Sequence, residues 1–417
     1  MDGILNKLVI EKRTSPLIKV VGVGGGGGNT VNYMYNNSDA DISYVVMNTD
    51  SQALISSPVP NKLLLGPDVT EGLGAGANPS TAEEAALSSK DEIYKILNDG
   101  AKMIFITAGM GGGTGTGAAP VVARIARDEL KMLTIGIVTI PFKLEGNRKI
   151  RKALKGVYKL SRNVDALLII NNERISELYP EDDIQTGFAR ADSVLSDAAT
   201  SIANLILIEG YINLDFADVK TTLRNGGVAT INTGKGAGEN RVKDAIEDAM
   251  KVPLLSNSND ISKAKRLLLN FYCSRAKSIN MREHSAITEF VNTMDRDNVE
   301  VIYGFSYDDT LGEEVRLTLL ATLDVSPVPQ EIIDEENNKD QDPSNSVDDT
   351  KGKYDDWMNS LYDDLGINSK TGYPIVPLEE LEDDKVLMNY KKPAYLRKKV
   401  LKKNFSKQKL LKKQMVK

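Results

Sequence analysis

The chain is 417 residues long, with 41% hydrophobic and 26% charged residues, 33 glycines and a single cysteine, histidine and tryptophan, a globular composition with room for two cored domains. Cys273 has no partner for an internal disulfide, and one cysteine with one histidine does not make a tetrahedral zinc site, which excludes a disulfide scaffold, a zinc finger and a zinc hydrolase; no protein metal site is expected. The net charge of -6 hides a partition: residues 1–323 hold 35 Lys/Arg and 40 Asp/Glu, residues 324–384 hold 4 and 18, and residues 385–417 hold 13 and none.

Residues 1–15 mix Asp2, Lys7, Glu11, Lys12 and Arg13 with short apolar pairs and read as a flexible N-terminus without a secretion signal. No apolar run reaches the length of a membrane span, so a soluble cytoplasmic protein is expected. Short β-branched runs predict strands over 17–23, 42–47, 103–108, 133–138 and 167–170. Between them, helices are predicted over 81–97 and over 118–130, the latter with Val121, Val122, Ile125 and Ala126 at core-facing spacing. This alternation predicts an α/β fold with a doubly wound, mostly parallel sheet, in which ligands bind beyond the carboxyl ends of the strands.

The segments after the strands are rich in glycine. Gly22-Val23-Gly24-Gly25-Gly26-Gly27-Gly28-Asn29 follows the first strand and satisfies G-x-G-x-x-G, so a dinucleotide-binding turn is one reading of it. Gly109-Met110-Gly111-Gly112-Gly113-Thr114-Gly115-Thr116-Gly117 stands between a strand and a helix, where successive backbone N–H groups and a helix N-terminus can meet an anion while Thr114 and Thr116 add hydroxyls. A third run, Gly72-Leu73-Gly74-Ala75-Gly76-Ala77-Asn78-Pro79, leads into the next helix. No G-x-x-x-x-G-K-[ST] occurs, which disfavours a P-loop NTPase.

A long helix is predicted over 189–208, and beyond it stands Asn213-Leu214-Asp215-Phe216-Ala217-Asp218. One acid of that string suits a helix N-cap, which leaves the second unexplained. Residues 226–323 alternate helix and strand without a phosphate loop and read as a smaller α/β domain; His284 lies there in a polar stretch and reads as an ordinary surface or satisfied histidine. Residues 324–384 have too few apolar side chains to offset ordering entropy and read as a disordered acidic linker. Within it, Trp357-Met358-Asn359-Ser360-Leu361-Tyr362 reads either as weak residual structure or as a short partner-binding helix. Residues 385–417 form a basic tail that either associates transiently with the linker or stays independently solvated; without an interleaved stacking platform, nucleic acid is not the expected ligand.

The run Gly111 to Gly117 resembles the signature of the tubulin/FtsZ superfamily, and its surroundings are similar to the bacterial cell-division branch of that family. The resemblance continues through Gly24 to Asn29, Asn48-Thr49-Asp50, Gly72 to Pro79, Pro141-Phe142, Glu145-Gly146 and Ile212 to Lys220, in family order, and spans roughly residues 16–323.

That resemblance implies a GTP-binding domain over 16–185, a central helix with a catalytic acidic loop over 186–225, a C-terminal α/β domain over 226–323, a linker over 324–384 and a tail over 385–417. It implies GTP/GDP with Mg2+, and contacts to the nucleotide from Gly24, Gly25, Gly26, Gly27, Asn29, Asn48, Gly76, Ala77, Gly111, Gly112, Gly113, Thr114, Gly115, Thr116 and Gly117. Glu145 and Lys149 would meet ribose and phosphate; Lys149 stands where the family usually has arginine, with Arg148 and Arg151 as alternative cations. Asn172, Phe188 and Asp192 would meet guanine, whose N1–H and amino group a carboxylate accepts and adenine does not match. Asn213, Asp215 and Asp218 would act on nucleotide held by a neighbouring subunit, so that head-to-tail assembly into filaments of a division ring activates hydrolysis. Lys392-Pro393-Ala394-Tyr395-Leu396-Arg397 is similar to the family peptide that binds membrane-tethering division proteins, and the extension beyond it is expected to meet an anionic membrane surface or acidic linkers, at a mid-cell division site.

Overall fold

The computed structural model describes residues 16–37, 41–173, 181, 183–208, 210–251, 261, 264–294 and 299–323; the segment 1–15, the acidic linker with its Trp357 stretch and the basic tail with the peptide 392–397 lie outside the described residues. In chain order the first half runs β1 (Ile18–Val23), α1 (Gly24–Asn37), β2 (Ile42–Asn48), α2 (Ser51–Ser56), β3 (Asn61–Leu64), α3 (Pro67–Thr70), α4 (Pro79–Ser88), α5 (Lys90–Leu97), β4 (Met103–Gly109), α6 (Thr114–Arg124), β5 (Leu133–Ile140), α7 (Asn147–Ser161) and β6 (Ala166–Asn171). The second half runs α8 (Ile184–Leu207), β7 (Gly210–Ile212), α9 (Phe216–Leu223), β8 (Gly227–Gly236), α10 (Arg241–Lys251), β9 (Ala264–Cys273), α11 (Met281–Asn292), β10 (Glu300–Tyr307) and β11 (Val315–Leu323).

These strands form one sheet in the order β3-β2-β1-β4-β5-β6-β8-β11-β9-β10-β7. From β3 to β6 every pairing is parallel, and the order reverses between β1 and β4, which is the switch point where such sheets bind ligands. β1, β5 and β6 are buried at every residue, as strands covered on both faces must be, which is why they read as mostly apolar runs; the exception in β1, Lys19, is buried and donates to the Ile96 carbonyl at 2.7 Å. On one face Val20, Phe105, Ile135 and Leu168 pack with Val31 and Met34 of α1 and with Leu195, Ala199 and Ile202 of α8. On the other, α6 packs on β4 and α7 on β5.

β8 joins β6 through a short parallel register, Ala166 to Gly227 and Leu167 to Val228, and the sheet then continues through antiparallel β11. Residues of α10 and α11, including Val242, Ile246 and Ile287, close a second core over Leu267, Leu269, Leu317 and Leu319. Arg241, fully buried, links α10 to α11: its guanidinium donates to Glu283 Oε1 at 2.6 Å and to the carbonyls of Glu313 and Ser278 at 2.9 and 3.1 Å. His284 lies on α11 beside the rings of Tyr303 and Phe305.

Three local expectations differ from the structure. The glycine run after β1 is helical, forming the first turns of α1. α6 begins at Thr114, so that Thr114 to Gly117 are its first turn, and it passes into a π-helical turn over Ile125–Glu129. The single helix predicted over 81–97 is divided at Ser89, a buried residue whose Oγ accepts the backbone N–H of Gly66 at 2.9 Å. That buried N–H needs a partner, and the break in the helix supplies it.

Candidate functional site

The carboxyl ends of β1, β4, β5 and β6 open on a cavity of about 400 Å³, lined by Gly25, Gly26 and Asn29 of α1, Gly109 to Gly115 apart from Gly111, Thr139 at the end of β5 and Pro141 after it, Glu145 just before α7 and Lys149 in its first turn, Asn172 after β6, and Ala191 and Asp192 of α8. Two helix N-termini converge on it, those of α1 and α6, each with unpaired backbone N–H groups and the positive end of a dipole.

Glycine makes this convergence possible at Gly24. Its φ is +75°, and a Cβ there would stand 2.8 Å from the backbone nitrogen of Gly115, so any side chain would push the two helix starts apart. Gly25 and Gly112 have open space where a Cβ would be, which leaves their backbone bare toward the cavity. The second glycine loop is fixed from within: Thr116 Oγ1 accepts the N–H of Gly111 at 2.8 Å, and the hydroxyls of Thr114 and Thr49 are 2.7 Å apart.

Cationic and anionic side chains meet at the start of α7. Glu145 accepts the N–H of Phe142 at 2.9 Å and pairs with Lys149 one turn later, so of the three candidate cations it is Lys149 that lines the cavity. Asn172 is buried, and among the described residues its Oδ1 has no hydrogen-bond partner, although an unsatisfied buried carbonyl is costly. Across the cavity, Asp192 Oδ1 accepts from Thr30 Oγ1 at 3.2 Å. Burial pushes the Asp192 carboxyl up from 3.8 to about 6, and the Thr30 hydroxyl pulls it down by a smaller amount.

The cavity therefore gathers Gly25, Gly26, Asn29, Gly112, Gly113, Thr114, Gly115, Glu145, Lys149, Asn172 and Asp192 of the residues singled out in the sequence. Gly24, Gly27, Gly111, Thr116 and Gly117 stand behind that lining and support it. Asn48 is buried at the end of β2, where its Oδ1 accepts from Asp50 N at 3.3 Å. Gly76 and Ala77 precede α4, and the carbonyl of Ala77 accepts from Lys152 Nζ at 2.7 Å. Phe188 lies on α8, and its side chain is outside the described residues.

Asn213, Asp215 and Asp218 are not in the cavity. Between Asp192 and Leu207, α8 runs fifteen residues, about 22 Å of helical rise, and the acids follow beyond β7. Asp215 is the N-cap of α9, accepting from Ala217 N and Asp218 N at 2.7 and 3.0 Å, while Asp218 Oδ2 accepts from Asp215 N at 2.9 Å. Asn213 accepts the N–H of Gly210. Asn213 and Asp215 remain exposed and Asp218 half-buried.

Sequence reasoning missed Thr30 and Thr139, and took in Met110 only as part of the second glycine run. Thr139 and Met110 follow from the rule that ligands lie beyond strand ends, once strand ends are known to a residue. Thr30 had no such signal, since its partner Asp192 is 162 positions away.

This geometry fits a nucleotide: bare amides and two helix N-termini for phosphates, and an orphaned amide oxygen with a carboxylate for a base edge. The chain matches the model of the Tubulin/FtsZ family GTPase domain over residues 17–180 and that of the FtsZ family C-terminal domain over 227–324. It is 46% identical over 411 residues to a cell division protein FtsZ of Porphyromonas gingivalis, covering 96% of this chain and 89% of that one. A cell division protein FtsZ of Aquifex aeolicus is 42% identical over 306 residues, 73% and 82% of the two chains. Among solved structures, an empty FtsZ dimer of M. jannaschii superposes with a TM-score of 0.66 at 38% identity, over 74% of this chain and 88% of that one.

Proposed function

The chain belongs to the tubulin/FtsZ family, and from that premise we propose that its cavity holds GTP, which is hydrolysed only when a second copy of the chain supplies the acids after α8. It is a guanine-nucleotide GTPase of a filament-forming cell-division family. The observation that carries the split site is that Asn213, Asp215 and Asp218 do not line the cavity: about 22 Å of helical rise along α8 separates Asp192 from Leu207, and Asp215 follows eight residues later in the chain. In this reading one subunit does not bring its own carboxylates to its own nucleotide.

In this reading the amides of Gly25, Gly26, Gly112, Gly113 and Gly115 and the hydroxyl of Thr114 receive the phosphates at the starts of α1 and α6. Glu145 and Lys149 meet ribose and phosphate, and Asn172 and Asp192 read the guanine edge. Mg2+ bound together with the nucleotide would supply neutralisation of the phosphate oxygens. Asp215 and Asp218 of the next subunit orient the attacking water and take its proton, with Asn213 beside them.

A contact that joins the cavity end of one subunit to the α9 end of the next is heterologous and does not close on itself, so it propagates a filament. The peptide Lys392 to Arg397 is proposed to recruit membrane-tethering division proteins at mid-cell, and the basic extension beyond it to strengthen contact with an anionic membrane. Deletion of residues 400–417 should then weaken binding to anionic vesicles, most clearly at low salt. No described helix is long and apolar enough to cross a membrane.

The deciding experiment is GTP turnover per subunit against protein concentration. A threshold followed by constant specific activity is expected. A rate independent of concentration would mean that each subunit holds a whole site, and the split assignment would be wrong.

A further inference from the structure

Thr30 is fully buried and belongs to the second turn of α1, two residues after the glycine run. Its hydroxyl faces two acceptors, the Gly26 carbonyl at 3.1 Å and Asp192 Oδ1 at 3.2 Å. Gly26 and Asp192 both line the cavity, and in the proposed reading Gly26 meets phosphate and Asp192 the base. One hydroxyl proton serves one of the two at a time, so the bonding of this group depends on the state of the carboxylate. When Asp192 is ionised, the proton is drawn to it by a charge-assisted bond; when Asp192 is protonated, its own O–H can donate to Thr30, whose proton returns to Gly26.

We propose that Thr30 is a positioning residue for base recognition: its hydroxyl fixes Asp192 as an ionised, oriented acceptor toward the cavity and ties α8 to the first glycine loop. This rests on the reading that Asp192 meets the guanine edge.

Little else holds the carboxylate charged. α1 carries no charged side chain, and its titratable groups Tyr33 and Tyr35 stand exposed. β5 carries none either. α9 brings Asp218 and Lys220 only at the far end of α8, and Arg190 and Asp197 are the nearest charged residues on α8 itself. Across the cavity, Glu145 and Lys149 are paired with each other. Burial meanwhile moves Asp192 toward protonation, with a value of about 6. A base that donates two hydrogen bonds needs the carboxylate, so without the Thr30 hydroxyl more of the protein would be in the wrong protonation state near neutral pH.

The test measures GDP and IDP affinity from pH 5 to 8.5 for the full chain, for Thr30→Val, which keeps the shape without the hydroxyl, for Thr30→Ser, which restores it, and for Asp192→Asn. GDP affinity of the unsubstituted chain should fall on the acid side by up to about tenfold per pH unit. Thr30→Val should move the midpoint upward by about half a pH unit or more while leaving affinity at pH 8.5 within roughly threefold. Thr30→Ser should return the midpoint. IDP lacks the 2-amino donor, and Asp192→Asn should collapse the preference for GDP over IDP. An unmoved midpoint in Thr30→Val would reduce Thr30 to packing and overturn the proposal. A GDP preference intact in Asp192→Asn would instead overturn the base-reading role of Asp192, and the proposal with it.

Discussion

Asp215 and Asp218 close a reciprocal capping box at the start of α9: the Asp215 carboxylate accepts the N–H of Asp218 at 3.0 Å, and the Asp218 carboxylate accepts the N–H of Asp215 at 2.9 Å. The two acids proposed to act on a neighbour's nucleotide thus also hold their own helix in place. The cap uses one oxygen of each carboxylate and leaves the other outside the cap bonds, with Asp215 exposed and Asp218 half-buried, an arrangement suited to a group that must meet a reacting water on a partner surface.

Substitution therefore has two effects that the choice of side chain separates. Asp215→Ala should lose about 1 kcal/mol of stability with the cap, whereas Asp215→Asn, an equally good cap, should stay within about 0.5 kcal/mol. Both should hydrolyse GTP at least about 100-fold more slowly, while binding GDP as the unsubstituted chain does. Thermal melts beside turnover and GDP titration read all three quantities; normal turnover in Asp215→Asn would remove it from the catalytic set.

Lys149 reaches the cavity beside Glu145 as a partly exposed point charge. Lys149→Met should weaken GDP binding about three- to tenfold at low salt, with the difference shrinking toward 0.5 M salt. Lys149→Arg should bind at least as tightly as the unsubstituted chain, because guanidinium forms a bidentate fork with phosphate. Calorimetric titration at two ionic strengths checks both, and a salt-independent loss would point to packing rather than charge.

The fold was legible because its parallel strands are buried on both faces: Ile18 to Val23 and Leu133 to Ile140 are rich in β-branched apolar residues, with only Lys19, Thr134 and Thr139 polar, and show no regular polar alternation. The glycine loops were equally visible, and with them most of the cavity wall. What escaped was set by tertiary demand. Gly24 to Gly28 have poor local helix propensity, yet packing of Val31 and Met34 on the sheet makes them helical. Three-residue β7 has no periodicity to detect and exists through its pairing with β10. The Ser89 break answers a need of Gly66, and the Thr30 to Asp192 bond joins helices far apart in sequence. None of these is encoded within a local window.

Two glycines of the second loop should respond oppositely to alanine. Gly112 has open space at its Cβ position, so Gly112→Ala should fold with a melting temperature within about 2 °C of the unsubstituted chain. Its methyl would enter the cavity and weaken GDP binding about tenfold or more. At Gly117 the Cβ would stand 2.0 Å from the carbonyl oxygen of Pro79, a backbone atom that does not yield. Gly117→Ala should cost about 1–3 kcal/mol or more by overpacking, read by denaturant titration of the nucleotide-free chain.

Asp192 should trade stability for recognition. Its carboxyl titrates at about 6 in the folded chain against an ordinary value of 3.8. A raised folded value means that the folded state holds its proton more tightly than the unfolded one. The stabilisation is fully present below pH 3.8 and is lost as pH rises through about 6. At pH 8 the ionised, half-buried carboxylate is thus a liability of at most about 3 kcal/mol, which Asp192→Asn removes while still accepting from Thr30. The variant should melt higher than the unsubstituted chain at pH 8, the gap should narrow as pH falls from 6 toward 4, and its GDP affinity should be lower. A melting gap that stays constant with pH would show that the carboxyl is not destabilised by its burial, and that the site does not spend stability on a charge held for the base.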